Sequence, residues 1–309
     1  MKSTSNKPYY TFSTYLRERF GCRVHKVNID AGFSCPNRDG TKGTGGCIYC
    51  DNRGFSHNSR IPVRPVDIQI QEAIEFARKR FRAEKFMAYF QAYSNTYAKP
   101  DVLRKTYDSI RRFDDIVALA IGTRPDCVDS DILDVIGEYT SDYELWMEYG
   151  LQSIHERTLE VINRHHSYAD FEKAVHLTRE REGIKICAHV ILGLPGETVA
   201  DMIETARALS SLKVESVKIH PLHVVRGTRL EELYNLGEYK PMEEDEYVEA
   251  AVSFLEHLSQ NIIIQRLSAD CPRELLAAPS WMLDKNRVLG LINETMIIKR
   301  RTQGSNSHI

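Results

Sequence analysis

At 309 residues the chain has the length for a full hydrophobic core and one large domain with an appendage. Its 42% hydrophobic and 27% charged residues exclude a disordered or fibrous protein. The formal net charge of −2 hides an asymmetry: residues 1–112 carry 21 Lys and Arg against 10 Asp and Glu, and residues 113–309 carry 20 against 33. A basic half of this kind suggests a polyanionic partner such as a nucleic acid. No apolar run reaches the ~18 residues of a membrane span. The first residues, MKSTSNKPYYTFSTYL, lack the apolar core of a secretory signal. The expected location is therefore the cytoplasm, where clustered cysteines more often hold metal than pair as disulfides.

Residues 1–23 precede the first strand candidate and form an N-terminal extension, with an aromatic YYTFSTY stretch suited either to packing or to stacking on bases. Short β-rich runs then alternate with amphipathic stretches. The strand candidates are 24–29, 86–90, 116–121, 144–148, 185–192 and 216–219. Helical spacing runs through 67–81, 101–113, 129–139, 168–182 and 198–212. The first of these ends in the basic run RKRFRAEK, from Arg78 to Lys85. Six β–α units predict an α/β fold with a parallel sheet and right-handed crossovers, open or curled into a partial barrel. A further helix spans the acidic stretch around Glu243–Glu246, and the tail 268–309 reads as a small, mostly helical extension to the 24–267 core.

In such folds functional groups gather at the C-terminal ends of the strands. Polar clusters follow all six: a cysteine loop, then QAYSNTY, GTRPDC, YGLQS, GLPGET and HPLHVVRGT. Six clusters in one topological place point to a ring around a single site.

The cysteine loop, GFSCPNRDGTKGTGGCIYCDNRGFS, holds Cys35, Cys47 and Cys50 with glycines at 40, 43, 45 and 46 that let it bend. A disulfide would leave an odd thiol. A zinc site would need a fourth ligand, for which His57 is available. An iron–sulfur cluster is the third option, and with three thiolates one iron would remain open to a small molecule. Spacing alone leaves zinc slightly ahead.

The context of the loop alters that order. Three cysteines after the first strand of a six-unit β–α chain, with Tyr49 before the last, resemble the radical SAM superfamily; the longer first spacing resembles that of the elongator catalytic subunit. GFSCPNRDGTKGTGGCIYC, YFQAYSNTYA, EYGLQSIHERTLEVINRHHS, VILGLPGET and KIHPLHVVRGT together resemble its YhcC/YtqA group, over about residues 7–274. The resemblance implies a partial (βα)6 TIM-like barrel, a [4Fe-4S] cluster on the three cysteines and S-adenosylmethionine (SAM) on the open iron. Reductive cleavage of SAM would then yield a 5′-deoxyadenosyl radical, with cofactor and cluster supplying the chemistry and the protein the aim.

The resemblance also implies roles for the ring residues. Ser94 and Asn95 match the segment that receives the methionine amino group. Glu148 and Gln152 are expected at amino or ribose contacts, Arg164 at the carboxylate, Tyr49 against adenine, and Lys218 and His220 on the same rim. GLPGET is expected beside the adenosyl group. An electron donor such as flavodoxin or ferredoxin is implied, and the elongator relationship implies tRNA as partner, with remodelling of a wobble-uridine side chain as the leading function. The alternatives are a radical SAM enzyme acting on a small metabolite or protein, and a zinc-dependent nucleic-acid-binding module.

Overall fold

A computed structural model describes residues 7–307 of the chain. Its strands are β1 (Val24–Ile29), β2 (Lys85–Phe90), β3 (Ile116–Thr123), β4 (Glu144–Gln152), β5 (Ile184–Leu192), β6 (Ser216–Pro221), β7 (Val224–Val225), β8 (Ile263–Arg266) and β9 (Leu276–Ala278). Strands β1 to β6 and then β8 pair in that order, all parallel, as one seven-stranded sheet. Strands β7 and β9 form a short antiparallel ribbon. The six expected strands are present, and the run NIIIQRL supplies β8.

The helices before β3 are α1 (Phe12–Phe20), α2 (Asn52–Phe55), α3 (Val66–Phe81) and α4 (Pro100–Tyr107). Between β3 and β6 come α5 (Ser130–Gly137), α6 (Glu156–Val161), α7 (Tyr168–Arg179) and α8 (Val199–Leu212). The last three are α9 (Arg229–Asn235), α10 (Glu244–His257) and α11 (Lys285–Ile298). Their starts are written in the sequence: Ser167 with Asp170, and Thr198 with Asp201, form capping boxes that satisfy the first free amides of α7 and α8.

Strand alternation divides the chain between two faces. On β2, Phe86, Ala88 and Phe90 join the main core under the covering helices, whereas Met87 and Tyr89 face the other way. The same alternation puts Leu145, Met147 and Tyr149 of β4 outward and Trp146 inward. Burial of each such large side chain stabilises the fold by roughly 1.5–3 kcal/mol.

The inner face is filled at one end by α1. Phe12 and Tyr15 meet the Trp146 indole edge-on, with centroids 5.3 and 5.7 Å away. The Tyr15 hydroxyl donates to Glu144, which also accepts from Arg19 Nε at 3.1 Å. The YYTFSTY stretch is thus a plug in the half-barrel, so its rings serve packing rather than base stacking. Gln303 ties this segment to the tail: its amide N–H donates to the Pro8 carbonyl and its Oε1 accepts from Tyr10 N–H, both at 3.0 Å.

Candidate active site

At the other end of the half-barrel lies a cavity of about 230 Å³, and Cys35, Cys47 and Cys50 line it together. All three are free thiols. The loop that carries them is folded by its own amides. Arg38 N–H donates to the Cys35 carbonyl at 2.8 Å, Gly46 N–H to Asn37 at 2.8 Å, and Cys50 N–H to Cys47 at 2.9 Å. A second segment, residues 162–165, clamps the loop from outside. The Asn163 side chain donates to the Gly46 carbonyl at 2.8 Å, and buried Asn37 returns the contact to the Asn163 carbonyl at 2.6 Å. The loop passes so close to His165 that a Cβ on Gly43 would run into the imidazole.

Arg164 is the electrostatic centre of this wall. Its guanidinium donates to Cys47 Sγ at 3.4 Å, to the Gly150 carbonyl at 2.7 Å and to His166 Nε2 at 2.8 Å. Burial opposes its charge, yet Cys47 and the other acidic groups nearby hold its pKa above the ordinary arginine value. Burial, together with Cys47, pushes the Cys50 thiol up to about 12. Bound metal would deprotonate the coordinating thiols outright.

Inward-facing residues of β1, β2, β4, β5 and β6 make a largely buried polar cluster that borders the same cavity. Glu148 accepts from Lys218, from His189 Nε2 at 3.0 Å and from Lys26 at 3.3 Å. Burial raises the Glu148 pKa, but these three groups outweigh it and hold the carboxyl well below its usual range. The Lys218 and Lys26 ammonium groups lie 4.2 and 4.9 Å from the centre of the Tyr89 ring. Near the mouth, Phe55 meets His223 edge-on at 5.3 Å, and the Arg38 guanidinium lies 5.9 Å from the Tyr93 ring centre.

The radical SAM superfamily model matches residues 39–209, and a radical SAM C-terminal domain model matches 214–297. The chain belongs to the radical SAM superfamily. It is 38% identical to YtqA of Bacillus subtilis, covering 98% of this chain and 94% of that protein. It is also 38% identical to YhcC of Escherichia coli, covering 95% and 94%. Over 52% of this chain and 29% of the relative it is 32% identical to a tRNA uridine(34) acetyltransferase of Methanocaldococcus jannaschii. Among solved structures, Methanocaldococcus infernus Elp3 superposes with a TM-score of 0.69 at 20% identity, covering 91% of this chain and 64% of that one. This likeness establishes the half-barrel fold.

Radical SAM proteins use a [4Fe-4S] cluster and SAM, and the cavity fits both. Zn–S bonds of about 2.3 Å would put tetrahedral sulfurs about 3.8 Å apart. Among the described residues, the three cysteines are not one of the sets whose ligating atoms all lie within 4.8 Å of one another. At least one pair of their sulfurs therefore stands more than 4.8 Å apart, wider than a single tetrahedral ion needs. His57, the fourth ligand of a zinc site, is exposed beyond α2 and is not part of the cavity wall. Buried Ser94 Oγ and His223 Nε2 are left without partners on the same cavity, so a polar ligand has hydrogen bonds to make there.

The radical SAM site gathers most of the residues the sequence singled out. Tyr49, Ser94, Glu148, Gln152, Arg164, Lys218 and His220 all line the cavity with the three cysteines. Asn95 stands behind the wall: its amide donates to the carbonyls of Ala92 and Gly122, and it braces the loop after β2. GLPGET also falls elsewhere, because Gly193 to Thr198 border a separate groove against Tyr239 and Met242. The basic run Arg78–Lys85 lies at the opposite end of the sheet, where Lys85 pairs with Val24 at the start of β1.

Several residues of this radical SAM site escape a motif reading. Tyr89 and His189 lie two residues after Met87 and Cys187 on the inner face, a signal carried by strand alternation alone. Asn37 directly follows the Cys-Pro pair, yet its partner Asn163 is 126 residues away, which no local pattern discloses.

Proposed function

We propose that the chain is a radical SAM enzyme that remodels a uridine side chain of transfer RNA at the wobble position. When bound, the cluster and SAM supply a 5′-deoxyadenosyl radical. The chain's own residues hold and orient: Cys35, Cys47 and Cys50 take the cluster, Arg164 balances thiolate charge, and Ser94 and Gln152 offer polar contacts to SAM. Asn95 serves this arrangement by fixing the backbone that carries Ser94.

The observation that carries the substrate reading is the mouth of the cavity. Phe55 and Tyr93 are large aromatic residues with relative exposures of 37% and 39%, and they flank an opening that leads to the cysteines. Exposed rings beside arginines suit a splayed base that stacks on one face and meets a phosphate nearby. The partial likeness to a tRNA uridine(34) acetyltransferase supports the same choice.

Two measurements test the proposal. Anaerobic reconstitution should yield about four irons per chain with broad absorption near 400 nm, lost in a C35A/C47A/C50A variant. Mass spectrometry of tRNA nucleosides from cells lacking the protein should show an altered wobble uridine; an unchanged profile would remove the tRNA substrate while leaving the cofactors in place.

A further inference from the structure

The cysteine loop is a thin wall with two accessible sides. Its inner side faces the cavity described above. On its outer side lies a second groove of about 660 Å³ that also reaches Cys47 and Cys50. Helix α2 stands between the two: Phe55 belongs to the inner cavity and Arg53 to the outer groove. The outer groove is edged by three guanidinium groups, Arg38, Arg53 and Arg229, against one carboxylate, Asp51. The Arg53 and Arg229 side chains keep 57% and 60% of their surface exposed, although Arg53 bonds Asp51 and Arg229 bonds Glu232. The rest of its lining includes Thr44, Gly45, Ser59 and Asn163, together with Ile48 and with Tyr93, which it shares with the mouth of the inner cavity.

We infer that this outer groove is the docking surface for an acidic, low-potential one-electron carrier protein, which reduces the cluster through the outer side of the cysteine loop. The inference rests on the radical SAM reading of the site. A cluster that cleaves SAM must receive one electron from outside. The carrier is oxidised by one equivalent, the cluster is reduced by one, and no bond or proton has to move. That electron needs a short path, and the groove reaches two of the three cysteines directly. The inner cavity cannot serve, because it holds SAM and substrate and its far end is filled by α1. The excess of guanidinium groups over carboxylate matches an acidic partner, and such a match acts mainly by speeding encounter.

The test uses the reconstituted holoprotein and reduced flavodoxin, following bleaching of the cluster near 400 nm in a stopped-flow cell and flavodoxin binding by fluorescence anisotropy. R53E/R229E should slow reduction by flavodoxin about 10-fold or more at low ionic strength, with the difference shrinking as salt is raised. R53Q/R229Q, which only neutralises charge, should fall between. Reduction by dithionite should be unchanged in both, as should SAM affinity. K79E/R80E removes the same charge at the far end of the sheet and should behave as wild type. Wild-type flavodoxin kinetics in R53E/R229E, equal slowing in K79E/R80E, or loss of tRNA affinity with unchanged flavodoxin kinetics would each overturn the assignment. Failure of the wild-type protein to take up iron would instead remove the radical SAM reading on which it stands.

Discussion

The Arg164 guanidinium reaches Cys47 Sγ with one nitrogen, at 3.4 Å, and the Gly150 carbonyl with another, at 2.7 Å. One buried cation thus couples the end of β4 to the cluster-binding loop. Arg164→Met should remove a buried positive charge beside the cysteines and make the cluster harder to reduce. A unit charge about 5 Å away at an effective dielectric of about 20 is worth about 3 kcal/mol, so the potential should fall on the order of 100 mV. Redox titration followed by electron paramagnetic resonance measures the shift. Arg164→Lys should restore part of the potential but lose the forked contact to Gly150.

Gly150 is required by that geometry. A Cβ there would lie 2.7 Å from Arg164 Nη2 and 2.8 Å from Gln152 Nε2. Gly150→Ala should therefore displace Arg164 and reproduce part of the Arg164→Met shift, with an overpacking cost of about 1–3 kcal/mol. An unchanged potential with an unchanged melting temperature would show that the guanidinium does not control the cluster.

Glu148 and Lys218 form a buried pair, and each answers the other's charge. Glu148→Gln should destabilise the fold by about 3–5 kcal/mol, because it strands the Lys218 charge, and Lys218→Met should cost less, since Lys26 and His189 still face Glu148. The double variant should cost clearly less than the sum. Urea denaturation of the four proteins gives the coupling energy directly.

Acid sensitivity follows from buried histidines whose pKa values are depressed, His166, His189, His220 and His223. Burial, with Arg164 and Arg124 nearby, holds His166 down to about 3, and burial holds His223 down to about 4. Unfolded histidine takes up its proton near 6.5, so below that pH the unfolded chain binds protons that the folded chain does not. Stability should be full above pH 6.5 and fall as the pH drops toward 4, by up to about 1.4 kcal/mol per pH unit per histidine. His223→Gln should flatten the dependence in that window, as read from melting temperatures between pH 4.5 and 7.

The sheet was legible because each strand is a compact β-rich run, and because its inner face repeats every second residue. The cysteine trio could be placed at the site from its position after β1, whereas Glu148 and Lys218, which lie within β4 and β6, are placed there by the family resemblance. Asn95 could not be separated from Ser94 this way, since neighbours on a turn face opposite directions and only the tertiary contacts of Gly122 and Ala92 decide which is braced. The basic run 78–85, read by itself as the solvated face of a helix, is no guide to the mouth for a different reason. A charge tally gives sign but not place, and the end of α3 lies at the strand starts, remote from the mouth. The clamp of Asn37 on Asn163, and the plug made by Phe12 on Trp146, depend on contacts more than a hundred residues apart.

The plug has a consequence for turnover. A reaction chamber sealed at its floor is a cul-de-sac, and whatever goes in must come out past the same doorway. A large nucleic acid seated there would trap a smaller molecule behind it and bar another from entering. With the proposed nucleic-acid substrate, loading would obey a queue, sulfonium compound first and macromolecule second, and spent fragments would leave only after the macromolecule had let go.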